Sequence, residues 1–357
     1  ENELVKFTDL HVAAAKGTPE IVELMISQKG IKINSKFVSK SDTMTNESEQ
    51  ANKGKEREIN KTALHIAFEN NNSDIVKILL RNENIDINSI LLTKYKFIEV
   101  LNERKKTTEL SPLFMAIQKG MLDIAELLLE RDGIDINLRC KTSEDDIKTA
   151  LSEAVFKDNM EIVKLLLDKD NLKINDYVTI HFTDNSEEDE EKRKKSREST
   201  SLHVAVRKEN LEMVNLLLSR DDIDVNIPEK TFVLLETVVN ALYTSKSNKL
   251  ISEKPALAVA LEVKNSDIAQ ILLEQPAKSL QYNPSSDEVV SETPIIHTAL
   301  STLNLDVFEI LIQNSGLDLE ATDEEGNTIV QLYEKNQEMI KSELQKTQQA
   351  NENKIMD

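Results

Sequence analysis

The sequence predicts an all-α solenoid of seven stacked helix–turn–helix repeats, closed by a partial C-terminal capping unit and carrying long β-hairpin or finger insertions between repeats. Three observations predict it. A small residue recurs as Ala13, Ala67, Ala116, Ala154, Ala205, Ala260 and Ala299. Seven positions after each stands an acid, Glu20, Asp74, Asp123, Glu161, Glu212, Asp267 or Asp306, leading into an apolar run such as Ile75–Leu80 or Ile162–Leu167. Most copies close on a loop of the Ile-Asp-Ile-Asn kind. A period of this sort outranks length as a guide to organisation, since 357 residues would otherwise suggest two or three domains.

Each repeat reads as two short helices. The first spaces its apolar positions by three, as in Leu64 and Ala67 or Leu202 and Ala205; the second sets Ile162, Leu165 and Leu166 on one stripe. A helix this short buries too little alone, so stacking on its copies is the physical solution. Hydroxyl or proline signals open the first helix: Thr8, Thr62, Ser111-Pro112, Thr149, Thr200, Pro255 and Thr293-Pro294. Breaks such as Gly17-Thr18-Pro19, Asn70–Ser73 and Lys119-Gly120-Met121 suit a tight antiparallel helix pair. The trailing loops are Ile33-Asn34, Ile85–Asn88, Ile134–Asn137, Leu172–Asn175 and Ile223–Asn226. The repeats thus fall near residues 7–34, 61–88, 110–137, 148–175, 199–226, 254–274 and 293–322, with a cap at 326–346 and a disordered tail at 347–357. The cap is expected from Ile329, Leu332, Met339, Ile340 and Leu344 set among polar residues. At the other end Ala13 to Ala15 would be half exposed, which hints at upstream sequence.

The string Thr62-Ala63-Leu64-His65-Ile66-Ala67 resembles the T-P-L-H-x-A signature of ankyrin repeats, and Thr8–Ala13 and Thr200–Ala205 repeat it. The resemblance covers residues 7 to about 322. Repeats four, six and seven depart from it at Ser152, at Ala258 and in the extra residue of Pro294-Ile295-Ile296-His297. The alanine spacings, 54, 49, 38, 51, 55 and 39, all exceed the family period of about 33. The surplus lies between the Asn of one unit and the Thr of the next, where the family projects a β-hairpin, so insertions there leave the helical stack intact. The resemblance also implies that Thr62 with His65, and Thr200 with His203, bond within their own motif. It places Asn88, Asn137 and Asn175 where some ankyrin proteins are hydroxylated; ordering of their own turns by side-chain hydrogen bonds is the alternative.

Three insertions have character. Residues 38–60 are polar and read as disordered. Residues 176–199 alternate Val178, Ile180 and Phe182 before an acidic run, Glu187–Glu191, and a basic one, Lys192–Lys195. They read as one strand of a finger with a solvated tip, or as an import or kinase-recognition segment with Ser186 or Ser196 as acceptors. Residues 229–246 carry Phe232, Leu235, Val239 and Leu242 at helical spacing, which predicts a small extra helix. Tyr95–Leu101 is open between strand and helix.

Composition bounds function. A net charge of −20 opposes general attraction to nucleic acid or anionic lipid, so neither is an expected partner. The single cysteine, Cys140, excludes an intrachain disulfide and a thiolate metal cage, and points to an intracellular home, cytoplasmic rather than nuclear. The longest apolar stretch, Phe232–Tyr243, is too short to span a bilayer. His11, His65, His203 and His297 share one repeat position and are spread along the stack, carboxylates such as Asp86 and Asp135 come one per repeat, and scattered glycines form no phosphate loop. No enzyme, cofactor or metal site is therefore expected, and the chain is expected to be monomeric.

The resemblance implies a protein-binding concave face built from two positions per first helix. These include Glu69 and Asn70, Gln118 and Lys119, Phe156 and Lys157, Arg207 and Lys208. Repeats three to five thereby present Lys119, Lys157, Arg207 and Lys208 as a basic stripe around Phe156, suited to an acidic or extended protein segment; solubilising helix-surface lysines are the other reading. The favoured function is a non-enzymatic scaffold or adaptor. The alternative is the targeting or substrate-recognition arm of a larger enzyme, channel or ubiquitin-ligase subunit.

Overall fold

The computed structural model describes residues 7–43, 54–98, 103–142, 145–187, 193–240, 243–275, 299, 326–328 and 330–337. The chain divides into two compact units, Glu1–Ser201 with Leu234–Asn248, and Leu202–Val233 with Lys249–Asp357. The first holds α1 (Asp9–Lys16), α2 (Pro19–Ile26), β1 (Phe37–Thr43), β2 (Gly54–Lys61), α3 (Ala63–Glu69), α4 (Ser73–Leu80), β3 (Leu91–Ile98) and β4 (Glu103–Leu110). It continues through α5 (Pro112–Gln118), α6 (Leu122–Leu129), β5 (Cys140–Lys141), β6 (Ile147–Lys148), α7 (Ala150–Phe156), α8 (Met160–Leu167), β7 (Val178–Thr183) and β8 (Lys194–Ser199). After it come α9 (Ser201–Arg207), α10 (Leu211–Leu218), β9 (Glu229–Asn240), β10 (Tyr243–Lys254), α11 (Ala256–Glu262) and α12 (Ser266–Leu273).

The helix ends follow the sequence signals. Thr8, Thr62, Ser111, Thr149 and Pro255 each stand at the N-cap of a first helix in extended conformation. Apart from α2 and α6, whose N-caps are Thr18 and Met121, the described second helices use asparagine: the side-chain oxygens of Asn72, Asn159, Asn210 and Asn265 accept the backbone N–H of Ile75, Ile162, Met213 and Ile268 at 3.0–3.1 Å. Between the two helices the chain reverses through one residue of positive φ, Asn71 (53°), Gly120 (68°), Asp158 (54°), Glu209 (55°) or Lys264 (59°). The following N–H then reaches back into the first helix, as Asn72 does to the Ala67 carbonyl at 3.0 Å.

Within the first unit, α1, α3, α5 and α7 stack in one row and α2, α4, α6 and α8 in a second. The core lies between the rows: Leu64, Ala67, Phe68, Ile75, Leu79, Phe114, Ile124 and Leu128 are all wholly buried. In the second unit α11 packs on α12 and α10 on α12. Among the described residues no helix is long and apolar enough to cross a membrane.

The all-α expectation is corrected by the fingers, which are strands. In the first unit β1 pairs with β2, β2 with β3, and so on to β8, every pairing antiparallel, so that each finger hydrogen-bonds to the next. Residues 38–43 and 54–60, expected to be disordered, lie in β1 and β2, registered from Phe37↔Lys61 to Thr43↔Lys55. Their strand state comes from backbone pairing to a neighbour, which needs no apolar alternation and so leaves none in the sequence. The extra helix expected at 229–246 is also corrected: residues 229–240 form β9 and residues 243–246 lie in β10. The runs Thr231-Phe232-Val233 and Thr237-Val238-Val239 are β-branched and aromatic, and that preference overrides the helical spacing. Tyr95–Ile98 is strand, and the finger expected around Val178 is formed by β7 and β8. Of the seventh repeat only Ala299 is described; it is helical and buried. In the capping region residues 330–337 are helical with Leu332 and Asn336 buried. His297, Ile329, Met339, Ile340, Leu344 and the tail lie outside the described residues.

Candidate interaction surface

The motif histidine is a core bolt. In repeat two the Thr62 N–H donates to His65 Nδ1 at 3.1 Å, and the Thr62 hydroxyl lies 2.9 Å from the same nitrogen. Nδ1 is therefore the acceptor, and Nε2–H donates to the Ser89 carbonyl at 3.0 Å in the trailing loop. Burial, against the pull of Ser89 and helped by Lys36 and Lys61, lowers the His65 pKa to about 4, so the ring is neutral. His11 repeats the arrangement with Thr8 at 3.2 Å from the N–H and 2.6 Å from the hydroxyl, and its pKa is lowered chiefly by burial. His203 is likewise buried, behind Thr200. In repeat three, where Phe114 occupies the histidine position, the buried Cys140 thiol accepts the Ser111 N–H at 3.3 Å, and burial raises its pKa. In repeat four Ser152 and Thr149 cap each other at 2.9 and 3.2 Å.

The loop asparagines do something the sequence did not reveal. Instead of ordering their own turns, Asn34, Asn88 and Asn137 clamp the backbone of the next repeat. Asn34 donates to the Asn84 carbonyl and accepts the Asp86 N–H, at 2.7 and 2.8 Å. Asn88 does the same with Gly133 and Asp135, at 2.8 and 2.9 Å, and Asn137 with Asn171 and Lys173, at 2.8 and 2.9 Å. The turns themselves are held by the aspartates, as in Asn88 N–H to Asp86 and Asn137 N–H to Asp135. The signal was present as the recurrence of that asparagine in repeats one to five.

At the inner corner the end of each finger meets the end of each first helix. The residue before the N-cap faces the residue seven after it. In repeat two Lys61 Nζ meets Glu69 at 2.6 Å, and in repeat six Lys254 meets Glu262 at 3.2 Å. Repeat four sets Lys148 Nζ 4.2 Å from the ring centroid of Phe156. Lys148 is itself buried and held by Glu153 at 3.4 Å and Asp146 at 3.6 Å. Asp146 accepts the His181 backbone N–H from β7 at 2.8 Å; burial would raise its pKa, but His181 and Lys148 outweigh burial and lower it. Phe156 nevertheless remains 45% exposed, an aromatic lid on a buried ionic cluster.

The expected stripe residues divide into two sets. Lys119 Nζ donates to Asn71 at 2.6 Å. Lys157 and Gln118 are exposed. Asn70, also exposed, reaches the Ala15 carbonyl at 3.4 Å. In the second unit, Arg207 is a structural cation: its Nε lies 2.9 and 3.1 Å from the carboxylate of buried Glu229, and its Nη2 contacts Glu229 and, at 3.2 Å, Glu262. Burial would lower the Arg207 pKa, but the two carboxylates raise it. Lys208 is exposed. Of the candidate phosphoacceptors, Ser196 is buried in β8 and Ser186 is exposed, its hydroxyl bonded to Asp184.

A family model described as ankyrin repeats matches the sequence three times, over residues 2–91, 90–178 and 138–229. No curated protein matches it.

Proposed function

The chain belongs to the ankyrin-repeat family, whose repeats generally mediate protein–protein interaction, and from that premise we propose that it is a non-enzymatic scaffold that captures an extended protein segment at the inner corner of repeats three and four. One observation carries the reading. Repeats two, three and six put Glu69, Gln118 and Glu262 at the corner position, whereas repeat four puts an aromatic ring there, exposed and backed by an ammonium. Phe156 offers the apolar anchor that binding affinity needs, and its rigid bed of Lys148, Glu153 and Asp146 limits the entropy lost on docking. Lys157 and Lys119 beside it favour a segment bearing acids next to an apolar residue. Exposed charges of this kind, worth about 0.2–1 kcal/mol each, orient such a segment rather than hold it. Arg207, neutralised by Glu229 and Glu262, contributes to stability and not to capture.

The test is selection of short random peptides on the folded chain. The expected result is enrichment of peptides with an apolar residue flanked by Asp or Glu, and a loss of about 2 kcal/mol, roughly 30-fold in Kd, with Phe156→Ala. Lys157→Glu should weaken the same peptides and flatten their salt dependence. Selected peptides without acidic character, or equal binding to Phe156→Ala, would sink the proposal.

A further inference from the structure

The first repeat exposes what the following repeats bury. The residue four after the first N-cap is Ile66, Met115 or Glu153 in repeats two to four, each 2–3% exposed, but Val12 at the same position in repeat one is 48% exposed. The residue three after the second N-cap is Ile75, Ile124 or Ile162, each 0% exposed; its counterpart Ile21 is 48% exposed. Repeats two to four differ from repeat one in having a helix pair stacked before them, so these two positions face the preceding repeat.

Two further features point the same way. The asparagine clamp grips a carbonyl and an N–H in the repeat after it, and the equivalent groups of repeat one are the Gly30 carbonyl and the Lys32 N–H. Among the described residues no asparagine side chain reaches either. Likewise β1 pairs with β2 alone among the described strands, leaving one edge of the finger sheet open where β2, β4 and β6 each pair onward to the next finger. The apolar positions, the polar clamp and the open edge are three separate parts of one established interface, the repeat–repeat joint, and all lie on one repeat.

We infer that this face is the seat of one further ankyrin-type helix pair, whose trailing loop supplies an asparagine to Gly30 and Lys32 and whose finger pairs with β1. The pair is contributed by the same polypeptide, N-terminal to α1. Every joint the first unit displays is between consecutive segments tied by a finger, and the open edge of β1 is where such a finger would arrive. This goes beyond partner capture at Phe156, and its failure would leave that reading standing.

Hydrogen–deuterium exchange of α1, α2 and the Lys32 amide distinguishes the outcomes, measured on this chain and on the longest product of its reading frame. In this chain α1 and α2 should exchange at least about tenfold faster than α3 and α4, and the longer product should slow them by a similar factor. Val12→Asp with Ile21→Asp should leave the melting of this chain unchanged, because both side chains are already in water, and should abolish the added protection in the longer product. Equal exchange in both proteins would overturn the inference, as would a reading frame that starts at this repeat. Protection of α1 and α2 that grows with the concentration of this chain would also overturn it, by assigning the face to a second copy.

Discussion

Repeats two and four share one architecture and use it differently. In repeat two the motif is complete: His65 ties Thr62 to Ser89, Ile66 is buried behind it, and the corner pair Lys61–Glu69 neutralises itself. Repeat four keeps the fold but replaces His by Ser152, the apolar Ile66 by Glu153 and the corner acid by Phe156. The ionic partner of its finger lysine thus moves from the surface into the core, and the corner is freed for an aromatic. On the proposed function, departure from the repeat motif marks where the surface serves recognition.

Removing the bolt of repeat two should have the largest effect. His65→Ala deletes a buried ring and its hydrogen bonds to Thr62 and Ser89 and should cost about 4 kcal/mol, read by urea denaturation; Ser152→Ala in repeat four should cost about 1 kcal/mol. A small loss at His65 would break the contrast. Next is pH. The folded His65 pKa, about 4, lies below the ordinary histidine value of 6.5, so the unfolded chain binds more protons between them. The contribution of this group is therefore intact above about pH 6.5 and is lost as pH falls toward 4, by up to about 3 kcal/mol. A His65→Gln variant should show a shallower decline over that window in thermal melts.

Glu153→Gln sharpens the comparison from the other side. It takes a charge from the buried cluster while leaving Lys148 with Asp146, and should cost about 2 kcal/mol, whereas Glu69→Gln at the exposed pair should cost less than about 0.5 kcal/mol. The clamps give a change no larger than that of the buried cluster. Asn88→Ala loses two hydrogen bonds to the next repeat and should lower stability by about 1–2 kcal/mol, with the local exchange rates of the Ile134–Asn137 loop rising first.

The helical stack was legible because its signals are local and repeated. Caps, apolar spacing and the Thr–His pair all sit within one repeat, so Thr62, Thr149 and Asn72 could be read without knowing their neighbours. The finger of β7 and β8 was legible too, from the alternation of Val178, Ile180 and Phe182, but that of β1 and β2 was not, since these are polar strands specified by pairing with each other and with β3, and pairing between segments leaves no mark on the composition of either. The same reason hid the asparagine clamp, which joins Asn34 to Asp86, 52 residues away, and the capture of Arg207 by Glu229 and Glu262. Candidate partner residues were found by position alone. Phe156 could be placed at the corner by counting from Thr149, but only contact geometry shows that Lys148 backs it while Arg207 is already occupied.

The most direct test of the account pairs two readouts on one variant. Phe156→Ala should lower the melting temperature by no more than about 4 °C, the cost of a half-exposed ring and its Lys148 contact, while titration calorimetry with a selected acidic-apolar peptide should show roughly 30-fold weaker binding. Unchanged affinity with an intact fold would contradict a recognition site at this corner.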